Sequence, residues 1–275
     1  ISSGPIDAPD ATRIDAGGRT VMPGLIDAHV HATITTMNLA AMAAKPASLV
    51  AQEARHVLER MLARGFTSVR DAGGADWGLA TAVDRGLIRG PRIFYAGRTL
   101  SQTGGHGDHR PRSDDAVLCA GEIHTTGFSH IADGVDAVRK AAREELRRGA
   151  HQVKIMASGG VASPSDAITN LQYSPEEMRV AVEEAASWGT YVMAHAYTPA
   201  AIERAVRAGV RTIEHGNLID TPTAALMAER GAYLVPTLVT YFMIAEFGRA
   251  LSFPAASQRK VQEVLAAGLS SLAIC

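Results

Sequence analysis

The stretch VMPGLIDAHVHAT, residues 21–33, places His29 and His31 two residues apart at the end of an apolar run that opens with Pro23 and Gly24. In a β-strand, residues i and i+2 point to the same face, so the two imidazoles would project side by side. Two neutral imidazoles on one face can hold a divalent metal ion. The stretch therefore predicts a strand that carries part of a metal site, and other parts of the chain must supply the remaining ligands.

The composition of the chain favours a globular protein with a small-molecule partner. The 275 residues are 47% hydrophobic and 20% charged, which suits one large domain or two small ones. The 27 basic and 28 acidic residues nearly cancel and form no long block of one sign, so we expect neither a nucleic-acid nor a membrane partner.

Two cysteines, Cys119 and Cys275, are too few for a disulfide framework, and residues 1–18 lack the pattern of a signal peptide. We expect a cytoplasmic protein, with any export signal lying outside the printed chain.

Short β-like runs alternate with longer helical runs along most of the chain, which gives seven strand–helix units. Ser174 before Pro175 and Thr198 before Pro199 predict helix starts, with a capping residue followed by proline at the first helical position. Five glycines predict helix ends before strands, namely Gly65, Gly149, Gly189, Gly209 and Gly231. The β-like runs are GLIDAHVH, FTSVRDAG, PRIFYAG, HQVKIMASGG, TYVMAHAYT, VRTIEHGN and AYLVPTLV. Further helices are predicted at residues 49–63, 77–85, 134–148 and 258–267.

The polar residues at the strand ends distinguish between two parallel-sheet folds. An open doubly wound sheet gathers its ligands at one crevice, whereas a closed barrel converges the C-terminal ends of all its strands on one axis. Side chains that could serve as metal ligands lie at the ends of four different predicted strands, at His29, His31, Lys154, His195 and His215. We therefore expect a (β/α)8 barrel over residues 23–275, with residues 1–22 as the remnant of a small β-sandwich domain.

Four motifs in order carry a resemblance to a known family. PGLIDAHVH, VKIMASGG, VMAHAY and TIEHG resemble the amidohydrolase superfamily, in its branch of dipeptidases and imidazolonepropionase-like proteins, over residues 20–237. The resemblance implies a TIM barrel in which His29 and His31 hold one metal ion and His195 and His215 hold a second. It further implies that Lys154, carboxylated on its amine, bridges the two ions, and that zinc is the usual metal.

The chemistry of these residue types agrees with that implication. Imidazole suits zinc, whereas a lysine ammonium has no lone pair and could act as a ligand only when neutral or converted to a carbamate. A metal pair lowers the pKa of bound water to about 7 and polarises a carbonyl. We therefore expect a hydrolase that cleaves the amide of a dipeptide, an N-acyl amino acid or a cyclic amide with a metal-bridging hydroxide.

Plain structural roles remain open for the same residues. His29 and His31 could be structural or face solvent, His195 and His215 could be hydrogen-bonded core residues, and Lys154 could point outward to a helix carboxylate. The histidines at positions 56, 124, 130 and 151 show no strand-end pattern and are expected to be surface or local hydrogen-bonding groups.

The loop LSQTGGHGDHR, residues 100–110, follows the third strand and would lie over the barrel mouth. In related amidohydrolases a similar loop lies beside the substrate, which makes His106 a candidate to hydrogen-bond a substrate carbonyl or carboxylate. Tyr197, two residues past His195, could donate to a developing oxyanion. Alternatively, both residues only shape the mouth of the barrel.

The sequence departs from the family pattern at its two ends. An amidohydrolase barrel has an eighth strand ending in an aspartate that contacts the first metal, and no such strand follows AYLVPTLVTYF. We therefore expect a chain truncated at both ends, with exposed strand edges that favour homo-oligomers.

The alternative function is a catalytically impaired, metal-binding barrel without the proton-transferring aspartate. A nicotinamide-dependent oxidoreductase is disfavoured because no GxGxxG follows the first strand.

Overall fold

The structure is a computed structural model that describes residues 4, 7–36, 38–114, 124–163, 165–251 and 253–275. Cys119 and the side chain of His124 lie outside the described residues. The strands are β1 Leu25–Val30, β2 Phe66–Asp71, β3 Arg92–Tyr95, β4 Thr99–Ser101, β5 His124–Thr126, β6 Ser129–Ile131, β7 Val153–Met156, β8 Val192–Ala196, β9 Thr212–His215 and β10 Tyr233–Val235. The helices are α1 Leu39–Ala43, α2 Ala47–Ala63, α3 Trp77–Asp84, α4 Val135–Arg147, α5 Pro175–Ser187, α6 Pro199–Ala208, α7 Thr221–Glu229, α8 Leu238–Phe247 and α9 Ala255–Ile274.

The strands form two sheets whose pairing is parallel except between β5 and β6. One sheet has the order β1-β2-β3, and the other has the order β10-β9-β8-β7-β4-β6-β5. The chain bends between β3 and β4 at Gly97, which has a φ of 73° and lies where a Cβ atom would collide with the Glu145 carboxylate. The predicted parallel α/β architecture is confirmed, whereas the missing eighth strand stays a prediction.

Local capping signals place the helix boundaries where the sequence predicts them. Ser174 and Glu177 form a reciprocal capping box at the start of α5, with Pro175 in the first turn. The Thr198 hydroxyl accepts from the Ala201 amide at the start of α6. The five glycines predicted to end helices all have positive φ angles, from 64° to 101°. These positions favour glycine because it carries no Cβ.

The segment after β10 differs from its prediction. AYLVPTLVTYF reads as a strand with its loop, but the strand covers only Tyr233–Val235 and Leu238–Phe247 forms α8. Pro236 cannot donate to a ladder, which limits the strand, and the apolar residues that follow pack as a helix. The last helix is also longer than predicted, at Ala255–Ile274. Helix α1, strand β4 and the β5–β6 hairpin are not predicted from the sequence, and Leu100 and Ser101, read as the start of a loop, belong to β4.

The segment that precedes β1 is largely exposed. Residues 7–24 contain two turns and no strand, and the side chains of Ile14 and Val21 are exposed. The assignment of residues 1–22 to a small β-domain stays a prediction, and the part of this segment that the structure describes, residues 4 and 7–22, shows no strand.

Among the described residues, three apolar clusters hold the elements together. The largest packs helices α4 to α7 against β4 and β7 to β9, and the second packs α2 and α3 against β1 to β3. The third joins α8 and α9 to loops that follow β7 and β8, with Val161, Tyr197, Tyr241 and Val264 at its centre. The third cluster therefore lies beside the strand ends that the sequence marks as functional. In the described part of the chain, we find no helix with the length and apolar character needed to cross a membrane.

Candidate metal centre

Imidazole rings from β1, β8 and β9 converge at the C-terminal ends of the strands. The ring centroids of His29 and His31 are 5.2 Å apart, those of His29 and His215 are 4.9 Å apart, and those of His195 and His215 are 4.6 Å apart. Ala196, not His195, pairs with His215 across β8 and β9, so regular alternation would put the two rings on opposite faces, and the φ of 78° at His215 breaks that alternation. All four histidines that the sequence marks as ligands thus lie in one group.

Lys154 on β7 is buried next to these rings. The residue is 1% exposed. Burial lowers the pKa values of His29, His31, His195 and His215, and the charge of Lys154 lowers them further. Burial lowers the pKa of Lys154 itself to about 8. Met156 pairs with His195 across β7 and β8, so Lys154, two residues before Met156, lies on the same face of the sheet as His195.

Two of the rings have tautomers that follow from their carbonyl partners. His31 Nδ1 lies 2.8 Å from the Gly73 carbonyl oxygen, and His195 Nε2 lies 3.2 Å from the Gly159 carbonyl oxygen. A carbonyl only accepts, so these two nitrogens carry the protons. Burial lowers the pKa of His31 to about 4 and that of His195 well below its usual value, so both rings are neutral at pH 7. His31 Nε2 and His195 Nδ1 are left with lone pairs.

The other two rings are oriented by side chains. His29 Nδ1 lies 2.6 Å from Glu214 Oε2, and Arg70 donates to both Glu214 oxygens at 2.8 and 2.9 Å. Burial raises the pKa of Glu214, but Arg70 and Lys154 oppose that shift and favour the carboxylate, which accepts from His29. His215 Nδ1 lies 2.7 Å from the Thr237 hydroxyl. In both rings Nε2 is the nitrogen left for a ligand role, and the Glu214–His29 pair resembles the carboxylate–histidine–metal triads of metalloproteins.

The donor set fits a pair of divalent ions when an extra ligand completes it. Among the described residues, no group of three or more His, Cys, Asp or Glu side chains is arranged to hold one ion. The four imidazoles, which suit zinc and other borderline metals, supply two nitrogens for each of two ions. A shared anionic ligand is then required, and Lys154 is the buried side chain that could become one as a carbamate.

His106 stacks directly on His195, with ring centroids 4.2 Å apart and an interplanar angle of 17°. Its Nδ1 lies 3.2 Å from Asp166 Oδ2, which also accepts from the Gly160 amide at 3.1 Å. A Cβ atom on Gly160 would collide with the rings of both histidines, so this position requires glycine. The structure therefore places His106 against His195, one of the four converging rings.

Tyr197 packs against His215, another of the four rings. Its ring is stacked on His215 at 5.2 Å with an interplanar angle of 16°, and its hydroxyl lies 2.7 Å from that of Tyr241. Burial raises the pKa of Tyr197 well above its usual value, so the hydroxyl keeps its proton at neutral pH. The predicted oxyanion role of Tyr197 stays a prediction.

Several residues that orient these side chains are not evident from the sequence. Glu214 precedes His215 in a strand, and alternation predicts opposite faces for neighbouring residues. His215 has a φ of 78°, which breaks the alternation and lets both side chains contact the same group of rings. A positive φ on a non-glycine residue is strained and is common at functional sites. The other orienting residues are Arg70, Asp166, Thr237, Tyr241 and Gln172. Gln172 accepts from the His106 amide and donates to Asp166 Oδ2.

Comparison with known proteins assigns the family. A model of the amidohydrolase family matches residues 20–270. The chain belongs to the amidohydrolase family. This agrees with the four motifs and with the parallel α/β fold.

Individual relatives of this amidohydrolase include curated and solved proteins. Ochratoxinase from Aspergillus niger is 40% identical over 228 residues, which cover 79% of this chain and 47% of that protein. Its crystal structure has a TM-score of 0.81 and 33% identity, and the match covers 92% of this chain and 61% of the other. A prolidase complexed with N-methylphosphonate-L-proline has a TM-score of 0.94 and 55% identity, over 98% of this chain and 66% of the other.

A third solved neighbour is a Xaa-Pro dipeptidase with bound methionine in its active site. It has a TM-score of 0.78 and 32% identity, and the match covers 90% of this chain and 62% of the other. The chain spans about half the length of the curated relatives it matches, at 47% to 55% of each.

Proposed function

We propose that the chain carries the metal centre of a hydrolase that cleaves an amide C–N bond in a dipeptide or N-acyl amino acid. The observation that carries this proposal is the convergence of His29, His31, His195 and His215 around the buried Lys154. Each ring has one nitrogen occupied by a hydrogen-bond partner and the other left with a lone pair. A purely structural cluster of core histidines would have no need to leave four ring nitrogens unpaired beside one another.

The relatives support an amide substrate with an amino acid on the nitrogen side. One is a prolidase whose ligand carries a phosphonate on the nitrogen of proline. A phosphonate is tetrahedral and anionic, like an amide carbonyl after water has added to it. Another relative is a Xaa-Pro dipeptidase. Among the substrate classes expected from the sequence, dipeptides with a C-terminal proline are therefore the first choice.

The proposed ligands divide into two pairs and one shared group. His29 and His31 would hold one ion, and His195 and His215 the other. Lys154 would lie between them as a carbamate, formed when its neutral amine bonds to the carbon of carbon dioxide and releases a proton. Two zinc ions bound there would supply a hydroxide at neutral pH and polarise the scissile carbonyl.

The side chains beside the rings would bind and orient the substrate. Asp166 occupies Nδ1 of His106, so Nε2 is the nitrogen left to contact a substrate carbonyl or carboxylate. The paired hydroxyls of Tyr197 and Tyr241 keep their protons and could donate to the oxygen that gains charge. Hydrolysis then adds water across the C–N bond, with hydroxide on the carbonyl carbon and a proton on the leaving nitrogen.

Metal analysis combined with turnover tests this proposal. After reconstitution with zinc and bicarbonate, we expect about two equivalents of zinc by elemental analysis. The double substitution His29→Ala and His31→Ala should remove about one equivalent, whereas His56→Ala, at an exposed position, should remove none. Xaa-Pro dipeptides should be hydrolysed faster than N-acyl amino acids or cyclic amides.

The outcomes separate the two functions expected from the sequence. Less than half an equivalent of metal after reconstitution would contradict the metal centre itself. Two equivalents without turnover of any amide would favour the alternative, a metal-binding barrel that lacks a group for proton transfer.

A further inference from the structure

Lys260 on α9 directs its side chain into a single loop close to the metal centre. Its Nζ donates to the carbonyl oxygens of Gly160 at 2.9 Å and Ser163 at 2.7 Å, and to that of Asp166. A lysine ammonium has three donors, and here all three bind main-chain carbonyls between β7 and α5. We refer to residues 157–163 and 165–174 as the β7–α5 loop.

The β7–α5 loop contacts a proposed metal ligand and a proposed substrate-binding residue. The Gly159 carbonyl accepts from His195 Nε2, which leaves Nδ1 of that ring as the free nitrogen. Asp166 Oδ2 accepts from His106 Nδ1 and from the Gly160 amide. The orientation of both rings thus depends on the peptide planes of one loop.

Apolar contacts alone do not fix those peptide planes. Val161 and Ile168 of the loop pack with Val261 and Val264 of α9 in one buried cluster. This contact is non-directional, so it holds the helix against the loop without setting which way each carbonyl points. The three hydrogen bonds from Lys260 do set it, because a donor requires the carbonyl oxygen to face it.

The charge of Lys260 also acts on the loop carboxylate. Nζ lies 3.8 Å from Asp166 Oδ1, an oxygen for which the described residues offer no hydrogen bond. An ammonium at that distance stabilises the ionised form of Asp166, which is the form that accepts from both His106 and Gly160. The side chain of Asp166 is only 2% exposed, so screening by water is weak.

We propose that Lys260 is a positioning residue that holds His106 and His195 in their working orientations through the carbonyls of the β7–α5 loop. Lys260 itself contacts neither ring, and its effect passes through Gly159, Gly160 and Asp166. This role rests on the proposed function insofar as His195 binds metal and His106 binds substrate. The nearly 100 residues that separate Lys260 from the loop in sequence make it a link between the last helix and the centre.

The test compares three variants by hydrogen exchange, metal affinity and turnover. Lys260→Met keeps the length and the apolar stem but removes all donors, and Lys260→Arg keeps the charge and donors. Arg259→Met, at the exposed neighbouring position on α9, is the matched control. In Lys260→Met we expect amide exchange in the β7–α5 loop to rise about tenfold or more while β8 and β9 stay protected. Affinity for the ion at His195 and His215 should fall about 10- to 100-fold, as when a residue that orients a ligand is removed.

The enzymatic readout should show a matching pattern. Turnover of a Xaa-Pro dipeptide should fall at least about tenfold in Lys260→Met, recover in part in Lys260→Arg, and stay unchanged in Arg259→Met. An unchanged rate of amide hydrogen exchange in the β7–α5 loop of Lys260→Met would overturn the proposal. An increase of equal size in the loop and in every strand would also overturn it, because either result shows that Lys260 does not act on the loop specifically. If the unaltered protein hydrolyses no amide, the proposed function fails, and the exchange and zinc measurements still decide the role of Lys260.

Discussion

The strands β7 and β8 are buried along their whole length, whereas β1 and β10 are largely open. Each residue of Val153–Met156 and Val192–Ala196 is buried, but only Val30 is buried in β1 and no residue is buried in β10. The cause is pairing, since β7 and β8 have strand neighbours on both sides and, among the described residues, β1 and β10 have one each. The metal centre therefore joins two regions of different packing. We call β7 and β8 the packed wall, and β1 and β10 the open wall.

This difference shows two ways of orienting a histidine. On the packed wall, His195 is held by the main chain of a loop that α9 supports. On the open wall, His29 depends on a long-range contact with Glu214, which Arg70 in turn orients. Functional groups must be held within a fraction of an ångström to work, so each wall needs such support.

The largest effect is expected at the centre of the packed wall. Lys154→Ala removes the proposed bridging ligand and should lower turnover by at least about a hundredfold, more than removal of an orienting residue typically does. Small carboxylic acids such as acetate should restore part of the lost zinc and activity by entering the space of the carbamate. Elemental analysis and steady-state kinetics with and without acetate provide the measurement.

The exposed lysine at position 140 on α4 gives the control. Lys140→Ala should leave both zinc content and turnover unchanged. Full zinc content in Lys154→Ala would show that the lysine is structural and would remove the bridge from the proposal.

The next effect concerns stability rather than activity. Ile155 on β7 is fully buried, whereas Ile26 on β1 is 73% exposed. Ile155→Ala leaves a cavity and should lower the free energy of unfolding by about 2 to 5 kcal/mol. Ile26→Ala should change it by no more than about 0.5 kcal/mol. Urea unfolding of both variants, with unchanged m-values, measures the difference.

Equal losses in the two isoleucine variants would contradict the contrast between the walls. They would show that β1 is as well packed as β7 in the protein in solution.

The sequence predicted the elements whose signals are local. The strands that carry His29, Lys154, His195 and His215 follow from short apolar runs, and the start of α5 follows from the Ser174 capping box. The strand-end position predicted for Lys154 is wrong, because it is the second residue of β7. Local signals failed for α8, because an apolar run rich in β-branched residues reads equally as a strand until its packing is known. The boundary at Pro236 was available as a signal and would have shortened the predicted strand.

The contacts that orient the site could not be predicted in this way. His29 and Glu214 are 185 residues apart, and His106 and Asp166 are 60 apart. Nothing near His29 in the sequence indicates Glu214 as its partner, because the contact exists only once β1 and β9 face each other. The strain at His215, which brings Glu214 to the same side, is likewise a property of the folded backbone.

The smallest effect is expected at the open strand edges. An edge strand presents unpaired amide and carbonyl groups that can pair with another chain, and charged residues on the edge oppose such pairing. Ile26 on β1 and Tyr233 on β10 are 73% and 58% exposed, so apolar side chains flank both edges. We expect the 275-residue chain to self-associate at micromolar concentration, and Ile26→Lys or Tyr233→Lys to raise the monomer fraction in light scattering. Val239→Lys serves as the control, because Val239 is 69% exposed but lies on helix α8. A monodisperse monomer before substitution, or an equal gain from Val239→Lys, would show that strand edges do not drive association.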